Sequence, residues 1–163
     1  MPKTHKIIKD RNDLFVTGSV SCDDKITREK FRKLTNTIVS TFDHVKTMFD
    51  TNKNLTLCVR NIRGNTLGFY NNGRSEIAID IRNVSEKSIV STMIHEFTHA
   101  NQYKTKKLSN TNVKDKVVWN KVEMTKYDSK KNHQKYLDQP WEIEARANEK
   151  KYTEKVCKVL GIK

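Results

Sequence analysis

Two histidines stand four residues apart in Met93-Ile94-His95-Glu96-Phe97-Thr98-His99-Ala100, with a glutamate beside the first. On an α-helix, side chains at that spacing leave from one face. His95 and His99 can therefore offer their imidazoles to a single ion at ~2.0–2.1 Å. Glu96 is turned by about 100° from His95, so it is badly placed as a third ligand and well placed to reach a water on the ion. That division of labour is why His-Glu-x-x-His is read as two zinc ligands plus a general base. The uncharged neighbours Thr92, Met93, Ile94, Phe97, Thr98 and Ala100 suit a helix covered on both flanks. The same spacing also occurs by accident on helices that hold no metal, so the motif needs support from the rest of the chain.

The elements that would carry it follow from periodicity. Phe31, Leu34, Ile38, Phe42, Val45 and Phe49 recur at steps of three and four, which predicts an amphipathic helix over Thr27–Phe49 with Thr27 as N-cap. Leu55–Arg60, Thr66–Tyr70 and Glu76–Ile81 have strand character. Asn71-Asn72-Gly73-Arg74 between the last two predicts a hairpin, since Asn and Gly tolerate positive φ. A helix is expected from Ser85 to Lys104, capped by Ser85, with Glu86 in its first turn. Residues 1–25 read as irregular, with a short strand near Leu14-Phe15-Val16. Residues 105–139 are polar and lysine-rich, with a weakly helical patch at Val113–Met124. A last helix is expected from Pro140 to about Leu160, stopped by Gly161.

A catalytic zinc needs a third protein ligand and keeps one position for water. The stretch Pro140-Trp-Glu-Ile-Glu-Ala-Arg-Ala-Asn148 offers candidates. Helix, strand, hairpin, His-Glu-x-x-His helix and a downstream helix with Glu-Ala together resemble the gluzincin branch of zincin metallopeptidases. The length is similar to a small phage- or virus-type zincin-like domain. The likeness spans roughly Thr27 to Leu160 in architecture but rests on about six specific residues, and Asn101 stands where the family carries an apolar residue. It implies an α+β, minimal zincin-like fold in a single domain over 1–163, with 105–139 as a cleft-lining insertion.

In that family a glutamate followed by alanine supplies the third ligand, and a carboxylate or amide four residues later orients the first histidine. Glu144, followed by Ala145 and with Asn148 four on, matches both features. Glu142 is followed four on by Arg146, which cannot accept a hydrogen bond, and Glu149 is followed by Lys150. The resemblance therefore implies Zn²⁺ held by His95, His99 and Glu144, oriented by Asn148, with Glu96 as the base. It also implies a protein or peptide substrate that pairs with an edge strand of the Thr66–Ile81 hairpin. Tyr136 is the preferred donor to the developing oxyanion, ahead of Tyr127, His133 and Tyr103.

Composition sets the outer limits. The chain has 163 residues, 35% hydrophobic and 31% charged, enough for one buried core. No apolar run approaches the ~20 residues of a membrane span, and the first residues lack an apolar signal segment. An intracellular protein without membrane contact is expected. Cys22, Cys58 and Cys157 are too few and too scattered for a disulfide framework. The net charge of +13 allows contact with nucleic acid, although no nucleic-acid motif accompanies it. Two alternatives remain open: similarity to SprT-like proteases of DNA-associated proteins, with His133 as a third histidine ligand, or a basic nucleic-acid or host-factor binding module with a structural zinc.

Overall fold

The computed structural model describes residues 4–6, 14–17, 28–50, 54–60 and 62–163. Its architecture is α+β, as expected. Thr27, Cys22 and most of the 1–25 segment lie outside the described residues. Within that segment the structure places two strands, β1 (Thr4–Lys6) and β2 (Leu14–Thr17). They lead to α1 (Arg28–Met48), β3 (Thr56–Val59), β4 (Gly68–Asn71) and β5 (Glu76–Ile79). The five strands form one mixed sheet in the order β1-β2-β3-β5-β4, so β4 is an edge. β2, β3 and β5 run parallel, while β1 and β4 pair antiparallel on either side.

Helix α2 (Glu86–Lys104) carries the paired histidines. Its start is set locally: the Ser85 hydroxyl accepts the Ser88 N–H at 3.1 Å, and Glu86 complements the helix dipole. Ile89, Val90, Met93, Ile94 and Phe97 are all buried on it. They meet Leu34, Ile38, Phe42 and Val45 of α1, Leu57 and Val59 of β3, and Ile77 and Ile79 of β5. The Phe97 ring packs against Phe42 at 5.5 Å and Phe49 at 6.3 Å. Burial of each such side chain contributes about 1.5–3 kcal/mol. No helix among the described residues is long and apolar enough to cross a membrane.

The final helix, α4 (Pro140–Leu160), begins on Pro140 and ends where Gly161 turns left-handed at φ 68°. It packs along α2 and also touches α1. Val156 and Cys157 join the main core, and Ala145 is fully buried. Cys58 and Cys157 are free thiols.

Two expectations are corrected. The Val113–Met124 patch is not helical: β6 (Leu108–Asn110), β7 (Lys116–Trp119) and β8 (Val122–Thr125) form a separate antiparallel sheet. Val117, Val118 and Trp119 favour extended backbone, and Asn120-Lys121 both take positive φ (48° and 70°), the geometry of a two-residue hairpin turn. In the β4–β5 hairpin the positive φ falls on Ser75 (48°) rather than on Asn72 or Gly73. A short helix, α3 (His133–Leu137), precedes α4.

Ala145 lies one turn from Glu142 on the face of α4 that meets α2. Ala145→Leu should overpack that seam and cost about 1–3 kcal/mol in urea denaturation, whereas a leucine at exposed Lys150 should change stability little.

Candidate metal centre

α2 and α4 bring three donors together: His95, His99 and Glu142. The two Nε2 atoms are 3.1 Å apart. One Glu142 oxygen lies 3.2 Å from His95 Nε2 and the other 3.4 Å from His99 Nε2. The expected ligand Glu144 is elsewhere: its carboxylate accepts from Gln102 Nε2 at 2.8 Å and from Lys107 Nζ at 2.5 Å. The cause is helical phase. Glu144 is turned about 200° from Glu142, so only one of them can face the imidazoles, and burial of Ala145 selects the face that holds Glu142.

The orienting partners differ from expectation in the same way. His95 Nδ1 lies 3.1 Å from Glu149 Oε2, and Ser91 Oγ donates to the other Glu149 oxygen at 2.8 Å. Asn148 instead donates to Thr98 Oγ1 at 3.1 Å, which ties α4 to α2 without touching His95. His99 Nδ1 lies 2.9 Å from Gln102 Oε1. The Gln102 amide is fixed because its Nε2 already donates to the Trp141 carbonyl at 3.0 Å and to Glu144.

These partners decide the tautomers. Glu149 and Gln102 Oε1 can only accept, so each histidine places its proton on Nδ1. Both Nε2 lone pairs then point at one another and at a carboxylate, all within 3.1–3.4 Å. Such convergence of acceptors is repulsive unless a positive charge sits among them. In the metal-free protein a proton serves: burial pulls the His95 imidazole down, but Glu142 and Glu149 outweigh it and push it up to about 10. Burial likewise raises Glu142, and the two imidazoles more than reverse this, bringing it to about 2. The donor set also fits a divalent ion, because ligands ~2.0–2.1 Å from a tetrahedral centre are separated by about 3.3 Å.

Glu96 is 6% exposed, and burial raises its carboxyl. It faces a groove shared with His95, Glu142 and Tyr136. The Tyr136 phenol faces Glu142, and burial and that carboxylate raise it, so it stays a proton donor. Arg146 donates to the Leu137 carbonyl and Gln139 to the Tyr136 carbonyl, which pins this turn. Strand β4 closes the other side. A Cβ at Gly68 would stand 2.6 Å from Thr92 Cγ2 and 3.3 Å from Glu96 Cγ, so only glycine lets β4 approach α2 this closely.

Of the residues expected at the site, His95, Glu96 and His99 are together and Tyr136 is beside them; Glu144 and Asn148 are not. His133 lines the groove that Glu96 faces but is absent from the donor cluster. Tyr103 lines an adjoining hollow and donates its hydroxyl to Asn110, and Tyr127 lies beneath Lys135. The sequence reading sets Glu142 and Glu149 aside as third ligand and does not single out Gln102. The available signal was Glu142, Ala145 and Glu149 at steps of three and four, one stripe of α4. Comparison with protein-family models, curated proteins and solved structures finds no match to this chain.

The pH dependence of metal-free stability follows from the two shifts. His95 is raised, so its contribution is complete below its ordinary 6.5 and is lost as pH climbs through about 10. Glu142 is depressed, so its contribution is complete above 4.5 and is lost as pH falls towards about 2. Urea denaturation of chelator-treated protein should show stability declining from pH 6.5 to 10. Glu142→Gln should flatten that decline; an unaltered slope would show that the pair does not interact.

Proposed function

We propose that this chain is a zinc-dependent metallopeptidase of minimal zincin-like fold, with His95, His99 and Glu142 as the metal ligands and Glu96 as the general base. The observation that carries the reading is the meeting of two imidazole Nε2 atoms and a buried carboxylate within 3.1–3.4 Å, with an acceptor beside each Nδ1. Two imidazoles and one carboxylate are a zinc-type donor set, and three protein ligands leave a position open for water. Zinc bound there would act as a Lewis acid, polarising a carbonyl and making a nearby water acidic near neutral pH.

The chain's own groups perform the remaining steps. Glu96 faces the same groove and takes the proton of the attacking water, then delivers it to the departing amine. Its burial raises its proton affinity, which suits a base that must hold the proton between the two transfers. The Tyr136 phenol donates to the carbonyl oxygen as negative charge develops there. Substrate enters extended along β4. The Asp80 N–H bonds to the Leu67 carbonyl at 2.8 Å, so alternation along the antiparallel pair turns the N–H and C=O groups of Gly68 and Tyr70 away from β5. Among the described residues β4 has no strand on that side, which leaves these groups to a substrate backbone.

Zinc content and peptide hydrolysis test the assignment together. Glu96→Gln should retain one zinc per chain and lose about 10²–10⁴ in kcat. Glu142→Ala should lose the zinc, and Glu144→Ala should keep it. Full zinc and activity in Glu142→Ala would remove the proposed centre.

A further inference from the structure

We propose that the groove over this centre selects acidic polypeptide segments, recognised by Lys126, Lys130, His133 and Arg146. The inference rests on the peptidase reading and names its substrate class. Two adjoining hollows form the groove, an inner one of about 240 Å³ and an outer one of about 680 Å³. Among the residues they share are Thr66, Gly68, His95, Glu96, Tyr136 and Glu142.

Charge along the groove is divided. Its only carboxylates among the described residues are Glu96, Glu142 and Glu149, and each is committed inward. Glu142 and Glu149 hold His95, and Glu96 is buried against α2 and β4. The remaining charged or basic side chains on the walls are Lys126, Lys130, His133 and Arg146. Arg146 directs its N–H groups to the backbone carbonyls of Leu137 and Glu142, both neutral partners. Lys130 and His133 are exposed at the mouth. An incoming chain therefore meets cations on the groove walls and, among the described lining residues, no carboxylate that is neither paired nor buried.

Charge complementarity alone would also suit nucleic acid. The β4 edge decides for polypeptide, because the outward backbone groups of Gly68 and Tyr70 match the repeat of an extended peptide. The chain's net charge of +13 adds long-range attraction for an acidic partner.

The test uses zinc-loaded protein and two sets of fluorogenic peptides with one shared central sequence, flanked by Asp/Glu in one set and by Lys/Arg in the other. The acidic set should be cleaved with about tenfold higher kcat/KM, mostly through KM, and the advantage should shrink as salt rises. The double variant Lys126→Glu/Lys130→Glu should reverse the order, with its zinc content and circular dichroism confirming an intact fold. Equal cleavage of both sets, or a preference that survives the reversal, overturns the proposal. If neither set is cleaved, the peptidase reading is what fails. Fluorescence anisotropy of the same peptides on Glu96→Gln then reads the groove alone, and equal binding of both sets overturns it. A single-stranded oligonucleotide that displaces the acidic peptide at lower concentration than the peptide itself would assign the groove to nucleic acid instead.

Discussion

Three electron-rich groups are held in contact inside this protein: two imidazole nitrogens and a carboxylate, within 3.1–3.4 Å of one another. Left to themselves in water they would separate. They stay together because α2 and α4 are locked by packing that neither helix can leave cheaply. α2 is buried by α1 and the sheet, while Val156 and Cys157 anchor the far end of α4 in the same core. Several buried side chains at about 1.5–3 kcal/mol each outweigh the repulsion of one polar cluster. The fold therefore imposes a local demand for positive charge, which a proton on His95 meets in the metal-free state.

Around that cluster runs a second layer of hydrogen bonds, and it explains why Glu144 lies where it does. Lys107 and Glu144 hold the Gln102 amide, and Gln102 in turn sets the proton of His99. Ser91 and Glu149 do the same for His95. Such outer partners fix ring orientation and raise ligand basicity. Lys107 also leads into the β6–β8 sheet and lies over the Trp119 ring, 4.8 Å from its centroid. The small sheet is thus mechanically tied to one imidazole.

Much of this was legible from sequence where local chemistry is decisive. Ser85, Pro140 and Gly161 mark helix ends through caps and fixed φ, and α2 and α4 start and stop there. The alternation of Ile77 and Ile79 marks β5, and the His95–His99 spacing marks two of the three donors that the structure brings together. What failed was phase. α4 carries lysines and glutamates on several faces, so composition does not say which of them meets the imidazoles, and the Glu-Ala pattern points to Glu144, which the structure places on Gln102 and Lys107 instead. Arg146 argued against Glu142 only if the orienting group stood four residues on. In the structure that group stands seven on, at Glu149. The β7–β8 hairpin was hidden because its turn is Asn-Lys rather than a glycine turn, and its strands are only four residues long.

Among the described residues β4 is an open edge, and such an edge has a cost of its own. An unpaired strand with outward backbone groups is a template for any other strand, including the same strand of a neighbouring molecule. Gly68 and Tyr70 offer no charged side chain there to discourage it. Mutual repulsion between molecules carrying +13 supplies that protection, and it acts over roughly 8 Å at physiological ionic strength. Concentrated salt, by collapsing that repulsion, would convert this edge into a seam along which copies clump.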